Sequence, residues 1–208
     1  MSTKPILMNT EMVRALLEGR KTVTRRVVKK PQIDAVLSSP ARLENPDIED
    51  FKFIKCLCDA PCEPGDILWV RETWQFIPCI DCRLYVHGGC SDTPVTYEDK
   101  DSVSEGCFVY RADYPEPDRL YWHPSIHMSR QAARIFLRVT GVRVERLQDI
   151  DDDGVLSEGV EIGAPFDELW DRTVKPKDRP LYGWEANPWV WVIGFERISR
   201  PPEGEKAT

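Results

Sequence analysis

Apolar residues recur along this chain in short bursts that alternate between helical and strand periodicity. Met12, Val13, Leu16 and Leu17 share one face of an amphipathic helix, with Thr10 as its expected N-cap and Gly19 at its end. Pro5 to Met8 predicts a short strand before it, and the β-branched stretch Thr22 to Val28 predicts another after it. From Lys29 to Glu49 the pattern dissolves into Lys, Pro, Ser, Asn and Asp, which predicts a loop within an insertion over about 29–55. Pro64-Gly65-Asp66 is a strong turn signal, followed by a strand from Ile67 to Trp74 that becomes polar at Arg71 and Glu72. Residues 75–107 have the character of a Cys-rich insertion, and Phe108 to Arg111 predicts a short strand.

The second half is more regular. Arg134 to Arg146 is a long strand whose apolar series changes parity between Val139 and Val142, so a bulge at Gly141 is expected. Asp149 is the expected N-cap of a short helix ending at Glu158 and closed by Gly159. Phe166 to Val174 predicts a further helix. Trp189 to Ile198 is apolar on both faces and predicts a central strand, with Trp189 and Trp191 in the core. Ser199 to Thr208 predicts a disordered tail. Short strands with few helices suggest an α+β fold in one domain over 1–198, a small β-barrel with helices closing its ends.

Composition narrows the function. At 208 residues with a net charge of −7, the chain is not a general nucleic-acid coat protein, although a local basic site remains compatible with it. Seven cysteines without a signal peptide point to a reducing, cytoplasmic setting with free thiols or metal. The longest apolar run, Trp189 to Phe195, is far short of the roughly 20 residues of a membrane span, so no membrane partner is expected.

The densest chemistry lies at the first helix-to-strand corner, Gly19-Arg20-Lys21-Thr22-Val23-Thr24-Arg25-Arg26. Alternation places Thr22, Thr24 and Arg26 on one face and Val23, Arg25 and Val27 on the other. Lys21 can act with Thr24 only if it sits in the turn, before regular pairing starts. The competing interpretation is a solvated cap and strand face.

This corner, the Pro64-Gly65-Asp66 turn with its strand, the segment Leu147 to Val160 and the apolar last strand together resemble the ASCH domain. Trp69-Val70-Arg71-Glu72-Thr73-Trp74, Pro124-Ser125-Ile126-His127-Met128 and Asn187-Pro188-Trp189-Val190-Trp191 resemble its longer phage and prophage members. The resemblance implies a PUA-like mixed β-barrel and an association with RNA. Some small bacterial ASCH proteins are amidohydrolases that deacetylate N4-acetylcytidine with a Lys, a Thr three positions later and a Glu on the helix after the long strand. Here those positions are Lys21, Thr24 and Glu158. Another ASCH type resembles a metal-dependent ribonuclease.

In that chemistry Thr24 is the nucleophile, Lys21 its base if burial lowers its pKa, and Glu158 the residue that orients Lys21 or passes a proton to the leaving nitrogen. Arg26 binds phosphate or stabilises an oxyanion. The simpler alternative is a Lys21–Glu158 salt bridge that closes the barrel, with Thr24 an ordinary strand residue. Substrate-binding candidates are Arg71 and Glu72, for a base edge or for each other, Trp74, Tyr121 and Trp122 for stacking, and His127. For any single Trp, core packing is the commoner role. Catalysis needs no cofactor, but Cys79, Cys82, His87 and Cys90 approximate a structural zinc knuckle, with Cys56, Cys58 and Cys62 as alternative ligands. The expected function is hydrolysis of the amide of an acylated or modified pyrimidine nucleoside, free or in RNA. The alternatives are a non-catalytic RNA or modified-base binding module and a ribonuclease.

Overall fold

The structure, a computed structural model, describes residues 1–44, 49–82, 94–99, 102–114 and 121–202. It is a mixed α+β fold with two sheets and several short helices. The chain divides into two compact units, each assembled from separate stretches: Met1–Lys4, Ala15–Leu68 and Ile135–Thr208 in the first, Pro5–Arg14 and Trp69–Arg134 in the second. No helix among the described residues is long and apolar enough to cross a membrane.

The larger sheet runs β1 (Thr3–Leu7), β3 (Ile67–Arg71), β7 (Phe136–Arg146), β8 (Trp189–Ile198), β2 (Val23–Val27). β8 pairs antiparallel with β7 on one side and β2 on the other. Val190, Trp191, Val192 and Ile193 are buried in succession, so β8 is covered on both faces, as its continuous apolar run predicted. Trp191 belongs to the core, whereas Trp189 is only partly buried, with the Arg146 guanidinium carbon 4.3 Å from its ring centre. On the face carrying Val190 and Val192, Leu147 and Trp170 complete an apolar cluster joined by Val23, Val27 and Phe166. Trp170 comes from the helix Phe166–Thr173 (α6 in chain order).

The expected irregularity in β7 is present. Register shifts between Val139, opposite Phe195, and Gly141, opposite Gly194, leaving Thr140 as the extra residue. The Pro64-Gly65-Asp66 turn also forms, with Gly65 at φ +91 and its amide donating to Val139 O at 2.8 Å. The Asp66 carboxylate accepts from the amides of Ser2 (2.6 Å) and Glu63 (3.2 Å) and lies 3.3 Å from Lys4 Nζ. Burial alone would raise its pKa, but these donors win and hold it well below 3.8, at about 2. A carboxyl depressed in the folded state contributes stability in full above 3.8 and loses it as pH falls toward 2. Asp66→Asn is therefore expected to be less stable than wild type at pH 6, with the gap closing as pH falls toward 2. Urea denaturation midpoints across that range check this.

Three expectations about the helices need correction. Lys29 to Glu49 is not simply a loop: it holds α2 (Lys30–Leu37) and α3 (Pro40–Glu44), followed by α4 (Asp50–Leu57). Pro31 and Pro40 stand in the first turns of their helices, where a missing N–H costs nothing, and Val36 and Ile54 supply buried anchors. The N-cap of α1 (Thr10–Leu17) is Asn9, whose Oδ1 accepts from the Met12 amide at 2.8 Å, and not Thr10. The N-cap of α5 (Asp152–Ser157) is Asp151, accepting from the Gly154 amide at 2.8 Å, because Leu147–Asp149 forms its own 3-10 turn.

In the second unit, residues read as an insertion supply most of a sheet with order β4 (Trp74–Pro78), β6 (Ser102–Tyr110), β5 (Val95–Asp99). The strand expected over Ile67 to Trp74 breaks at Glu72 and Thr73, and the one expected at Phe108 begins at Ser102. One apolar cluster of this unit is Trp74, Met128 and Ala132, packed by Phe76, Tyr97, Phe108 and Tyr110. Residues 203–208 of the expected tail lie outside the described residues.

Candidate active site

The corner between α1 and β2 is built by one carbonyl. Ala15 O accepts from the amides of Arg20 (2.9 Å) and Lys21 (3.1 Å), while Gly19 takes φ +76. Lys21 is thus held in the turn, as the sequence required, and regular pairing with β8 starts at Val23. β2 ends the row of strands, so its outer edge is open to other partners. The end of α5 takes it: Thr22 N donates to Ser157 O at 2.8 Å, and Lys21 bridges to Glu158. A residue at a strand edge can be reached from both faces of the sheet.

Glu158 is reached in this way. Lys21 Nζ donates to the Glu158 carbonyl at 2.9 Å and pairs closely with its Oε2. Arg25 Nη1 donates to Oε1 at 3.2 Å. Arg25 in turn gives Nε and Nη2 to Glu145 Oε1, at 3.0 and 2.7 Å, and Glu145 Oε2 accepts from Arg143 at 3.0 Å. Lys21, Arg25 and Glu158 are buried, and the chain of ion pairs reaches solvent at Arg143. Glu158 is delivered by Gly159, at φ +82, where an added Cβ would stand 2.6 Å from Ala15 Cβ and 3.0 Å from Lys21 Cβ. Gly159→Ala combines left-handed strain with this clash and is expected to cost about 2–4 kcal/mol, measurable as a lowered denaturation midpoint.

Burial lowers the pKa of Lys21 below its ordinary 10.5. Glu158 opposes this, while Arg26 and Arg25 add to it. Burial also lowers that of Arg26, again opposed by Glu158, so Arg26 feels the same carboxylate, and its Nη1 donates to Arg25 O at 3.1 Å. Thr24 is completely buried opposite Ile193, on the sheet face away from Arg25, and its Oγ1 has no hydrogen-bond partner among the described residues. Such an orphan is uncommon in a folded interior. The arrangement offers an amine whose charged form burial disfavours, a carboxylate fixed against it and, on the strand that Lys21 leads into, a hydroxyl outside hydrogen-bond reach of that amine.

The Lys21–Glu158 ion pair is the contact that the resemblance implies and that the simpler salt-bridge alternative equally expects; Arg25 and Glu145 stand outside both expectations. The available signal was Arg25 itself, alone between Val23 and Val27 on an apolar parity, where an arginine demands a buried anionic partner.

The candidate substrate-binding residues other than Arg26 belong to the second unit. Arg71 and Glu72 do not pair with each other. Arg71 donates to Ile126 O, whereas Glu72, 1% exposed, takes a two-pronged pair from Arg134 at 2.9 and 3.0 Å. Trp74 is buried in its core, with Tyr97, Phe108 and His123 ring centres at 6.0, 5.7 and 5.4 Å. Trp122 is partly buried, 5.5 Å from Tyr114. Tyr121 and His127 are exposed.

Of the proposed zinc ligands, Cys79 and Cys82 flank a 3-10 turn with Cys82 N donating to Cys79 O at 3.2 Å, whereas His87 and Cys90 lie outside the described residues. Among the described residues no group of three or more His, Cys, Asp or Glu is placed to hold a metal. Burial, with Lys4 opposing and Asp66 adding, pushes the Cys62 thiol up to about 11.

Comparison with protein families, with curated proteins and with solved structures finds no match to this chain.

Proposed function

We propose that this protein is an amidohydrolase that removes the acyl group from an acylated pyrimidine nucleoside of the N4-acetylcytidine kind, free or carried in RNA. The finer architecture belongs to the same reading: the five-stranded sheet and its short helices form a PUA-like framework of the ASCH type, which the motifs at 19–26, 64–66 and 147–160 resemble. The observation that carries it is the buried Lys21 amine, destabilised as an ammonium and clasped by Glu158, at the head of the strand bearing Thr24's unpartnered hydroxyl.

In this reaction neutral Lys21 accepts the Thr24 hydroxyl proton as Oγ1 bonds to the acyl carbon. The tetrahedral centre collapses with cleavage of the bond to the exocyclic N4, and the Lys21 ammonium returns its proton to that nitrogen. Water then attacks the threonyl ester, releases the acid and regenerates the hydroxyl. Glu158 keeps the amine in place throughout. The scheme requires Thr24 Oγ1 to come within hydrogen-bond reach of Lys21 Nζ.

The test is release of cytidine from N4-acetylcytidine by the purified protein, with Lys21→Ala and Thr24→Ala as controls. Turnover that disappears in both supports the reading. Unchanged turnover in both variants, or N4-acetylcytidine bound without any release, overturns it, the second result in favour of a modified-base binding module.

A further inference from the structure

We infer that Arg25, held by Glu145, is a positioning residue that keeps Glu158 charged and in place whenever Lys21 gives up its proton. This role rests on the proposed reaction. The geometry behind it is the division of one carboxylate between two cations: Lys21 holds Oε2 and Arg25 holds Oε1.

A buried Lys–Glu pair standing alone is a poor source of a neutral amine. Deprotonating the lysine would leave a carboxylate unpaired in the interior, and the two groups would favour remaining ionised together. Arg25 removes that obstacle. Its guanidinium stays charged at any working pH and still faces Glu158 after Lys21 is neutral. Glu145 performs the second half of the task. By accepting from both Nε and Nη2 it fixes the plane of the guanidinium, so that Nη1 is aimed at Glu158. Val23 and Val27, its neighbours on the same face of β2, are apolar.

The charges around Lys21 are these. β2 contributes Arg25 and Arg26, both of which disfavour its ammonium, and the end of α5 contributes Glu158, which favours it. β7 contributes Glu145 and, beyond it, Arg143. At the start of α5, Asp151 Oδ1 and Arg25 Nη2 each stand 3.0 Å from the position a Cβ would take at Gly154. At the corner, Arg20 donates to Gly159 O at 2.6 Å and is paired with Glu18. Removing Arg25 takes one positive charge away from Lys21 and releases Oε1 of Glu158, so the pKa of Lys21 rises. Removing the charge of Glu145 makes the surroundings more positive, so its pKa falls. Opposite shifts from two partners of one ion pair are not what loss of structure would produce.

The experiment is a pH titration of Lys21 followed by NMR in protein carrying lysine labelled at Cε, the Lys21 signal being assigned by its loss in Lys21→Ala. The wild-type midpoint is expected below 10.5. In Arg25→Gln it is expected to rise by about one pH unit, a tenfold change in proton affinity, and in Glu145→Gln to fall. A folded Arg25→Gln protein with an unmoved midpoint overturns the inference. Should that variant not fold, the isosteric Glu145→Gln decides, and a midpoint that stays or rises overturns it. The titration needs no substrate, so it is separable from the reaction. Turnover of N4-acetylcytidine with an unmoved Lys21 keeps the reaction and removes the positioning role. Opposite shifts without turnover keep the coupling and remove the reaction. With both present, the acid limb of the kcat/KM profile moves to higher pH in Arg25→Gln.

Discussion

Glu158→Ala is expected to destabilise the protein by about 3–5 kcal/mol, the cost of leaving a buried cation without its anion. Lys21 is the group most exposed to that loss, since its side chain has no measurable solvent exposure and its amine donates only to Glu158 among the described contacts. Arg25 loses one contact but keeps Glu145. Glu158→Gln retains one acceptor and is expected to lose less. The double replacement Lys21→Met with Glu158→Leu removes both charges together and is expected to recover most of the stability, because well-packed apolar residues commonly equal a buried ion pair. Chemical denaturation of the four proteins checks the order: wild type close to the double variant, then Glu158→Gln, then Glu158→Ala.

Thr24→Val is expected to separate function from stability. The change exchanges a hydroxyl for a methyl group in a completely buried position where that hydroxyl has no partner among the described residues. Removing an unsatisfied buried group recovers desolvation free energy of about 1–2 kcal/mol, so the variant is expected to be more stable than wild type. Its release of cytidine from N4-acetylcytidine is expected to fall by about 10³-fold or more, since no hydroxyl remains to attack the acyl carbon. Thermal denaturation and a cytidine-release assay on one preparation measure both halves. A Thr24→Val protein that is less stable and equally active would make Thr24 an ordinary strand residue.

Much of the site was legible because its positions are tied to backbone devices that sequence displays. Gly19 and Gly159 both take positive φ, and each marks the end of a helix next to a charged residue. The parity change between Val139 and Val142 announced the irregularity in β7, and the unbroken apolar run of β8 announced burial on both faces. The Arg25–Glu145 pair was hidden because its members sit on β2 and β7, two strands separated by β8, and strand order is not written in the residues of any one strand. Helices α2 and α3 were hidden by prolines that stand at helix starts and so resemble loop punctuation. The role of Trp74 was hidden for a related reason: Tyr97 and Phe108 reach it from two other strands, and only pairing brings those rings within 6.0 Å.

The surplus residue Thr140 sets the local shape of β7 and leaves the pairing beyond it in phase with the pairing before it. After it, Arg143 pairs across β8 with Val192 and Glu145 with Val190, the same two positions that oppose Arg25 and Val27 from the other side. Removing Thr140 would close the shift: Gly141 would follow Val139 in regular alternation, opposite Gly194 and Phe195, and Arg143 and Glu145 would keep their partners and their face. A residue lost or gained between Gly141 and Glu145, where pairing is already regular, would instead carry Glu145 to the far side of the sheet and part it from Arg25. Descendants of this chain can therefore lose the surplus threonine, while the count of residues from Gly141 to Glu145 must be inherited unchanged if the arginine is to keep its counter-ion.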